Sequence, residues 1–217
     1  MSIALSIGNN LTTNGVFTAD AVNNTSVTNV TDFASVPGGG VLKLLSTQTA
    51  SASASISFTS GIDSTYDSYV FKFIDIHASA QGSNYFQVNF RDGGSDYDAT
   101  KTTTLFRTYH FEDDSTAALA YEAGHDLAQS TSFQKIAQGI STDNDHCTVG
   151  TLQLFNPSST TFVKHFLSDT QTAHEDDASY RWFVAGYCNT TVAIDGVQFS
   201  MLSGNIDSGI IKMYGVV

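Results

Sequence analysis

The chain has 217 residues, enough for one well-buried β domain, and only 14% of them are charged, against about 25% in an ordinary globular domain. Its 21 acidic and 9 basic residues leave a net charge of -12, with no Lys/Arg cluster to oppose that field, so nucleic-acid binding is not expected. No run approaches membrane-spanning length, and the segment from Met1 to Ile7 lacks the basic start of a signal peptide, so neither membrane insertion nor export is expected.

Residues 1–50 are rich in Asn, Thr and Val, almost free of charge, and broken at Pro37-Gly38-Gly39-Gly40. They read as an attachment arm or small β element, and residues 51–217 as the main domain. Ala50 to Phe58 alternates small residues, which suits either a closely approached strand or a connector. Alternation then predicts strands at Tyr69–His77, Tyr85–Arg91, Thr104–Phe111, Phe133–Ile140, His146–Phe155, Thr161–Ser168 and Tyr180–Tyr187. In the first of these, Tyr69, Phe71 and Phe73 oppose Val70, Ile74 and Ile76, so both faces are expected to be covered. In the second, Phe86, Val88 and Phe90 mark a single buried face. Ala117 to Ala123 is the only stretch that reads as a short helix.

The chain closes with Val197, Phe199 and Met201 on one face of a segment, a Gly/Asn/Asp turn at Ser203–Gly209, and a second segment in which Ile211 and Met213 oppose Ile210, Lys212 and Tyr214. This pattern predicts an antiparallel hairpin whose last strand ends in the core. Glu occurs only at Glu112, Glu122 and Glu175, and the excess of Asp, a turn former, fits a loop-rich fold. The fold class expected is all-β, an antiparallel, jelly-roll-like β-sandwich with a short N-terminal arm.

Chemical motifs are sparse. Asp92, Asp96 and Asp98 share a Gly-rich loop and are the candidate calcium ligands, although an Asp/Gly turn explains them without a metal. Asp143, Asn144 and Asp145 form a second acidic loop. His146 and Cys147, as strand neighbours, would point to opposite faces and could not share an ion. Cys147 and Cys188 could pair, but two buried thiols suit a reducing cytosol better. His110, Glu112, His125, Asp126, His165 and His174 could supply acid/base chemistry only if the fold gathered them. No catalytic residue and no cofactor is therefore expected. Tyr109, Tyr121, Tyr180 and Trp182 are the candidate contacts for a partner protein or a glycan, because exposed rings stack on both.

Several segments resemble structural proteins of tailed bacteriophages, especially marine ones: Thr49 to Asp63, Tyr69-Val70-Phe71-Lys72-Phe73, Asp92-Gly93-Gly94-Ser95, Leu154 to Thr160, Val184-Ala185-Gly186-Tyr187, and Ser203-Gly204-Asn205-Ile206 through Tyr214-Gly215. The resemblance implies a non-enzymatic virion component of the fibre, knob or head-decoration class. Such a protein would be assembled in the host cytoplasm and joined to other virion proteins through its N-terminal segment, with a homotrimer as the expected form. The alternative is a tail adhesin that binds a host surface glycan, and beyond that a polysaccharide depolymerase.

Overall fold

A computed structural model describes residues 41–217. It contains twelve strands and, among the described residues, no helix: β1 (Leu42–Ser53), β2 (Ser55–Phe58), β3 (Ser68–Ala78), β4 (Tyr85–Arg91), β5 (Lys101–Phe111), β6 (Ala117–Tyr121), β7 (Gln134–Gln138), β8 (Thr148–Phe155), β9 (Lys164–His174), β10 (Ala178–Cys188), β11 (Gly196–Met201) and β12 (Ile206–Val216). All pairings are antiparallel. One eight-stranded sheet runs β1-β12-β3-β8-β9-β10-β5-β6, and a four-stranded sheet runs β2-β11-β4-β7. The all-β sandwich expected from the sequence is thus present.

Apolar alternation on the inward faces explains why the sheets stack. Phe199 of β11 lies against Phe58 and Phe86 of its own sheet and against Phe71 and Phe73 of the opposite one, with ring centroids 5.2–6.3 Å apart. All five rings are at most 3% exposed. Burial on this scale contributes about 2 kcal/mol or more per ring, which makes this knot the main cohesive element between the layers.

The closing segments do not form a hairpin. β11 belongs to the small sheet, between β2 and β4, while β12 lies between β1 and β3 in the large one. Val197, Phe199 and Met201 are buried as expected, and so are Ile211 and Met213, but they face each other across the sandwich. The residues between them carry the chain from one layer to the other. Val217 is 78% exposed, so the last residue is at the rim rather than in the core.

Three further expectations change. Ala117–Tyr121 is a strand, because pairing with β5 overrides the helix propensity of alanine. Residues 42–50, read as part of the arm, belong to β1 and pair with β12; residues 1–40 lie outside the described residues. In β3, a bulge interrupts the register between Phe73 and Ile76, with Asp75 at φ 52°. The extra residue turns Ile76 inward beside Phe71 and Phe73, whereas Val70 and Ile74 stay half-buried on the outer face.

Candidate functional site

β9 separates the two faces of the large sheet cleanly. Lys164, Phe166, Ser168, Thr170, Thr172 and His174 point into the sandwich, and His165, Leu167 and Asp169 point out. The outward face of β8, β9, β10 and β5 carries an apolar strip. Leu167 is 51% exposed and Phe106 43%, and Phe106 stacks on its cross-strand partner Phe183 with centroids 4.8 Å apart. A cleft of about 350 Å³ is lined by Thr104, Phe106, Leu167, Asp169 and Phe183. Beside it lies another of about 310 Å³, sharing Thr104 and Leu167 and reaching His165, Gly186 and Tyr187. The charges near the strip cancel locally: Arg181 donates to both oxygens of Asp169 at 2.9 and 2.7 Å and lies over Phe183. The result is a concave, nearly neutral surface of rings, methyls and hydroxyls, suited to binding by contact.

Of the four aromatic contact candidates, only Tyr121 is on this side, 57% exposed, with its hydroxyl donating to Asp126 at 2.6 Å. Trp182 and Tyr180 are 1% and 6% exposed on the inner face, so they cannot stack on an external ligand. Tyr109 shares that inner face and stacks on Tyr180 at 5.2 Å, half-buried. These three residues form one polar-aromatic layer with Arg107, which is 5.2 and 5.1 Å from the Tyr109 and Tyr180 ring centres. Arg107 also pairs with Glu122 at 2.6 Å, an ionic contact whose Nε–H is not well directed, and donates to Gln138. His174 stacks on Tyr180 and His125 on Trp182. Lys135 donates to His125 Nδ1 at 3.2 Å, which leaves Nε2 to carry the proton toward the Tyr85 hydroxyl. Burial, aided at His125 by Lys135, holds both imidazoles below their ordinary value. Trp182 Nε1 and His174 Nε2 are buried without partners.

Among the described residues, no group of three or more His, Cys, Asp or Glu is placed to hold a metal. Lys101 and Lys164, both fully buried, flank Cys188 directly across β5 and β9. Lys101 Nζ donates to Asn89 Oδ1 and the Ala99 carbonyl, and Lys164 Nζ to the Thr190 carbonyl at 3.1 Å. Asp92 is close enough to raise the affinity of both ammoniums for their protons, and Asp98 does the same for Lys101. The loop carboxylates thus lie in the field of two internal cations. Burial nevertheless pushes Lys101 down to about 8 and Cys188 up to about 12.

His146 and Cys147 precede β8 instead of lying in it, so the strand argument for opposite faces does not apply. Both line a cleft of about 430 Å³ with Asp75, His77, Asp145 and Asp207. The Cys147 thiol is 3.8 Å from Asp75 Oδ1, and burial followed by that carboxylate raises its pKa, which is the reverse of an activated nucleophile. Cys147 and Cys188 are both free thiols. Of the remaining acid/base candidates, His110 and Glu112 line one cleft of about 400 Å³ with Gln171 and Ser179, where His110 pairs with Asp114, whereas His165 lies apart beside Tyr187 and His174 is buried under Tyr180. The outward strip was foreseeable in the alternation of β5, β9 and β10, but the Asp75 cleft had no local signal, since it draws on β3 with its bulge, on β12 and on the loop before β8. Comparison of the chain with protein-family models, with curated proteins and with solved structures finds no match in any of the three.

Proposed function

We propose that this protein is a non-enzymatic structural component of a bacteriophage particle, a decoration or fibre-like module attached through its N-terminal segment. The observation that carries the reading is the outward face of the large sheet, where Phe106, Leu167 and Phe183 form a broad apolar strip with only one, mutually compensated, ion pair. Such a strip is costly on an isolated protein and useful where proteins meet. The resemblance of segments between residues 45 and 217 to phage structural proteins supplies the biological setting.

The strand order also supports reading the sandwich as a jelly roll. β1, β12, β3 and β8 stand opposite β2, β11, β4 and β7. With the β5-β6 and β9-β10 hairpins set aside as extensions of the larger sheet, every connection passes to the other layer except that from β4 to its sheet neighbour β7.

The test is immunogold labelling of purified particles with an antibody to residues 41–217, together with a deletion of residues 1–40 that leaves β1 intact. Labelled particles, and a soluble deletion variant that no longer joins them, are expected. Unlabelled particles would refute the assignment, and incorporation of the deletion variant would refute the attachment role.

A second reading, a glycan-binding adhesin, is favoured by the ring floor and hydroxyl rim of the same clefts, since sugar C–H faces stack on aromatic rings while Thr104, Thr151 and Gln153 can bond hydroxyls. Glycan-array binding lost in Phe183→Ala would support it, and an array without signal would remove it.

A further inference from the structure

Each sheet has two edges, and three of these four edges are protected. β1 carries Lys43 and a bulge between Leu44 and Ser46. β2 has only four residues. β7 carries Lys135 and meets β4 through a register shift. Such short lengths, charges and bulges are the devices by which natural sheets avoid pairing with other chains. β6 is also short, at five residues, but it carries neither charge nor bulge: Ala117-Ala118-Leu119-Ala120-Tyr121 is uncharged and regular, with Leu119 69% exposed.

The backbone of β6 is also presented for pairing. Phe111 N donates to Thr116 O before the strand and Glu122 N to Leu105 O after it. With the register Arg107↔Ala120 and Tyr109↔Ala118, Ala118 and Ala120 therefore direct their N–H and C=O groups at β5. Ala117, Leu119 and Tyr121 direct theirs at the open edge, where no backbone partner is found among the described residues.

We infer that β6 is a strand-addition site whose occupant is β6 of a second copy of this chain, paired antiparallel about a two-fold axis at Leu119. In this register Leu119 faces Leu119 of the other copy, and Ala117 faces Tyr121 in both directions. Every outward N–H and C=O finds its counterpart, since each of these pairs exchanges both hydrogen bonds. The side chains match in size: a small Ala receives a large Tyr twice, and the two leucines meet in the middle. Leu119 and Tyr121 share the outer face with Phe106, their neighbour on β5 being directly opposite Tyr121, so pairing makes the apolar strips of the two copies continuous. Charge selects the same partner segment. In a chain of net charge -12, β6 is a stretch along which two copies can align without apposing like charges. The acidic turn at Glu112, Asp113 and Asp114 would lie beyond either end of the paired segment, near Asp126 of the other copy, so association should tighten as salt screens it. A two-fold pairing closes at two copies, which departs from the threefold form expected from the phage resemblance. It holds whether or not the protein belongs to a particle.

Sedimentation velocity of the full chain over a hundredfold concentration range should show a monomer–dimer equilibrium, and Leu119→Lys, which places two ammoniums face to face at the axis, should leave a monomer at the same loading. Leu119→Cys should form a disulfide-linked dimer under mild oxidation, because residues facing each other in a hydrogen-bonded antiparallel pair have Cα atoms about 5.5 Å apart, within disulfide reach. Leu167→Cys, exposed on the same face but away from the edge, should not do so beyond the wild-type background from Cys147. A monomer at every concentration, a trimer, a dimer insensitive to Leu119→Lys, or equal cross-linking of the two cysteine variants would each overturn the inference.

Discussion

His174 packs its buried ring directly on Gly139, the residue after β7, so that a Cβ built at Gly139 would fall inside the imidazole. Gly139 also has φ 66°, a conformation that costs little only without a side chain. Gly139→Ala should therefore destabilise the protein by about 3 kcal/mol or more, since backbone strain and overpacking act together. The shift of the urea midpoint at constant m-value measures it.

The same ring makes stability depend on pH. Burial holds His174 below its ordinary value near 6.5, and His125 is lowered in the same sense. The unfolded chain then binds more protons, so this stability is complete above about pH 6.5 and declines as pH falls toward the folded-state values. Urea midpoints from pH 7.5 to 5 should fall steadily, and His174→Gln should flatten the decline. The lowered carboxylates Asp63 and Asp113 titrate at more acidic pH and do not confuse that window.

Lys101 and Cys188 give opposite slopes in alkali. The Lys101 ammonium is lowered from 10.5 to about 8, so stability should rise as pH increases from about 8. The Cys188 thiol is raised from 9.0 to about 12, so above about pH 9 its ionisation in the unfolded state pulls the other way. A rise between pH 8 and 9 that flattens beyond is expected, with Cys188→Ala extending the rise. Lys101→Met should cost less than about 2 kcal/mol, because removing a buried charge at constant volume offsets the loss of the donor to the Ala99 carbonyl. Asn89→Ala should cost about 2–3 kcal/mol, since it strips an acceptor from that charge.

Trp182→Ala should cost about 3–5 kcal/mol, as expected for a fully enclosed indole, while Tyr121→Ala should change stability by less than about 1 kcal/mol. Thermal unfolding of the two variants separates core from contact surface. Neither millimolar calcium nor a chelator should move the wild-type midpoint, given the two ammoniums behind the Asp92 loop.

The strands were legible because alternation with period 2 is a local property, and the expected and observed bounds of β4 coincide at Tyr85 and Arg91. What failed was partnership. Val197, Phe199 and Met201 alternate in the same way whether Ile211 and Met213 lie beside them in a hairpin or opposite them in the other layer, and a Gly-rich turn serves both. The faces of β10 were equally ambiguous, with Tyr180 and Trp182 on one side and Phe183 and Tyr187 on the other. Only the packing of β4 and β7 against the former pair decides which rings are hidden. The alanines of β6 misled for a different reason: their intrinsic preference is helical, and the five-residue strand exists because β5 supplies its hydrogen bonds.

The placement of β12 has a consequence for biosynthesis. It is the bridge between β1 and β3, holding residues 42–53 to residues 68–78 although it is made long after both. On the ribosome β1 and β3 emerge early, and although β3 can pair with β8 once that strand is made, the gap between β1 and β3 stays unfilled until residues 206–216 follow. Completion of the larger layer therefore waits on the synthesis of residues 206–216, and a chain stalled before Ile206 would present an open, apolar gap to chaperones and proteases.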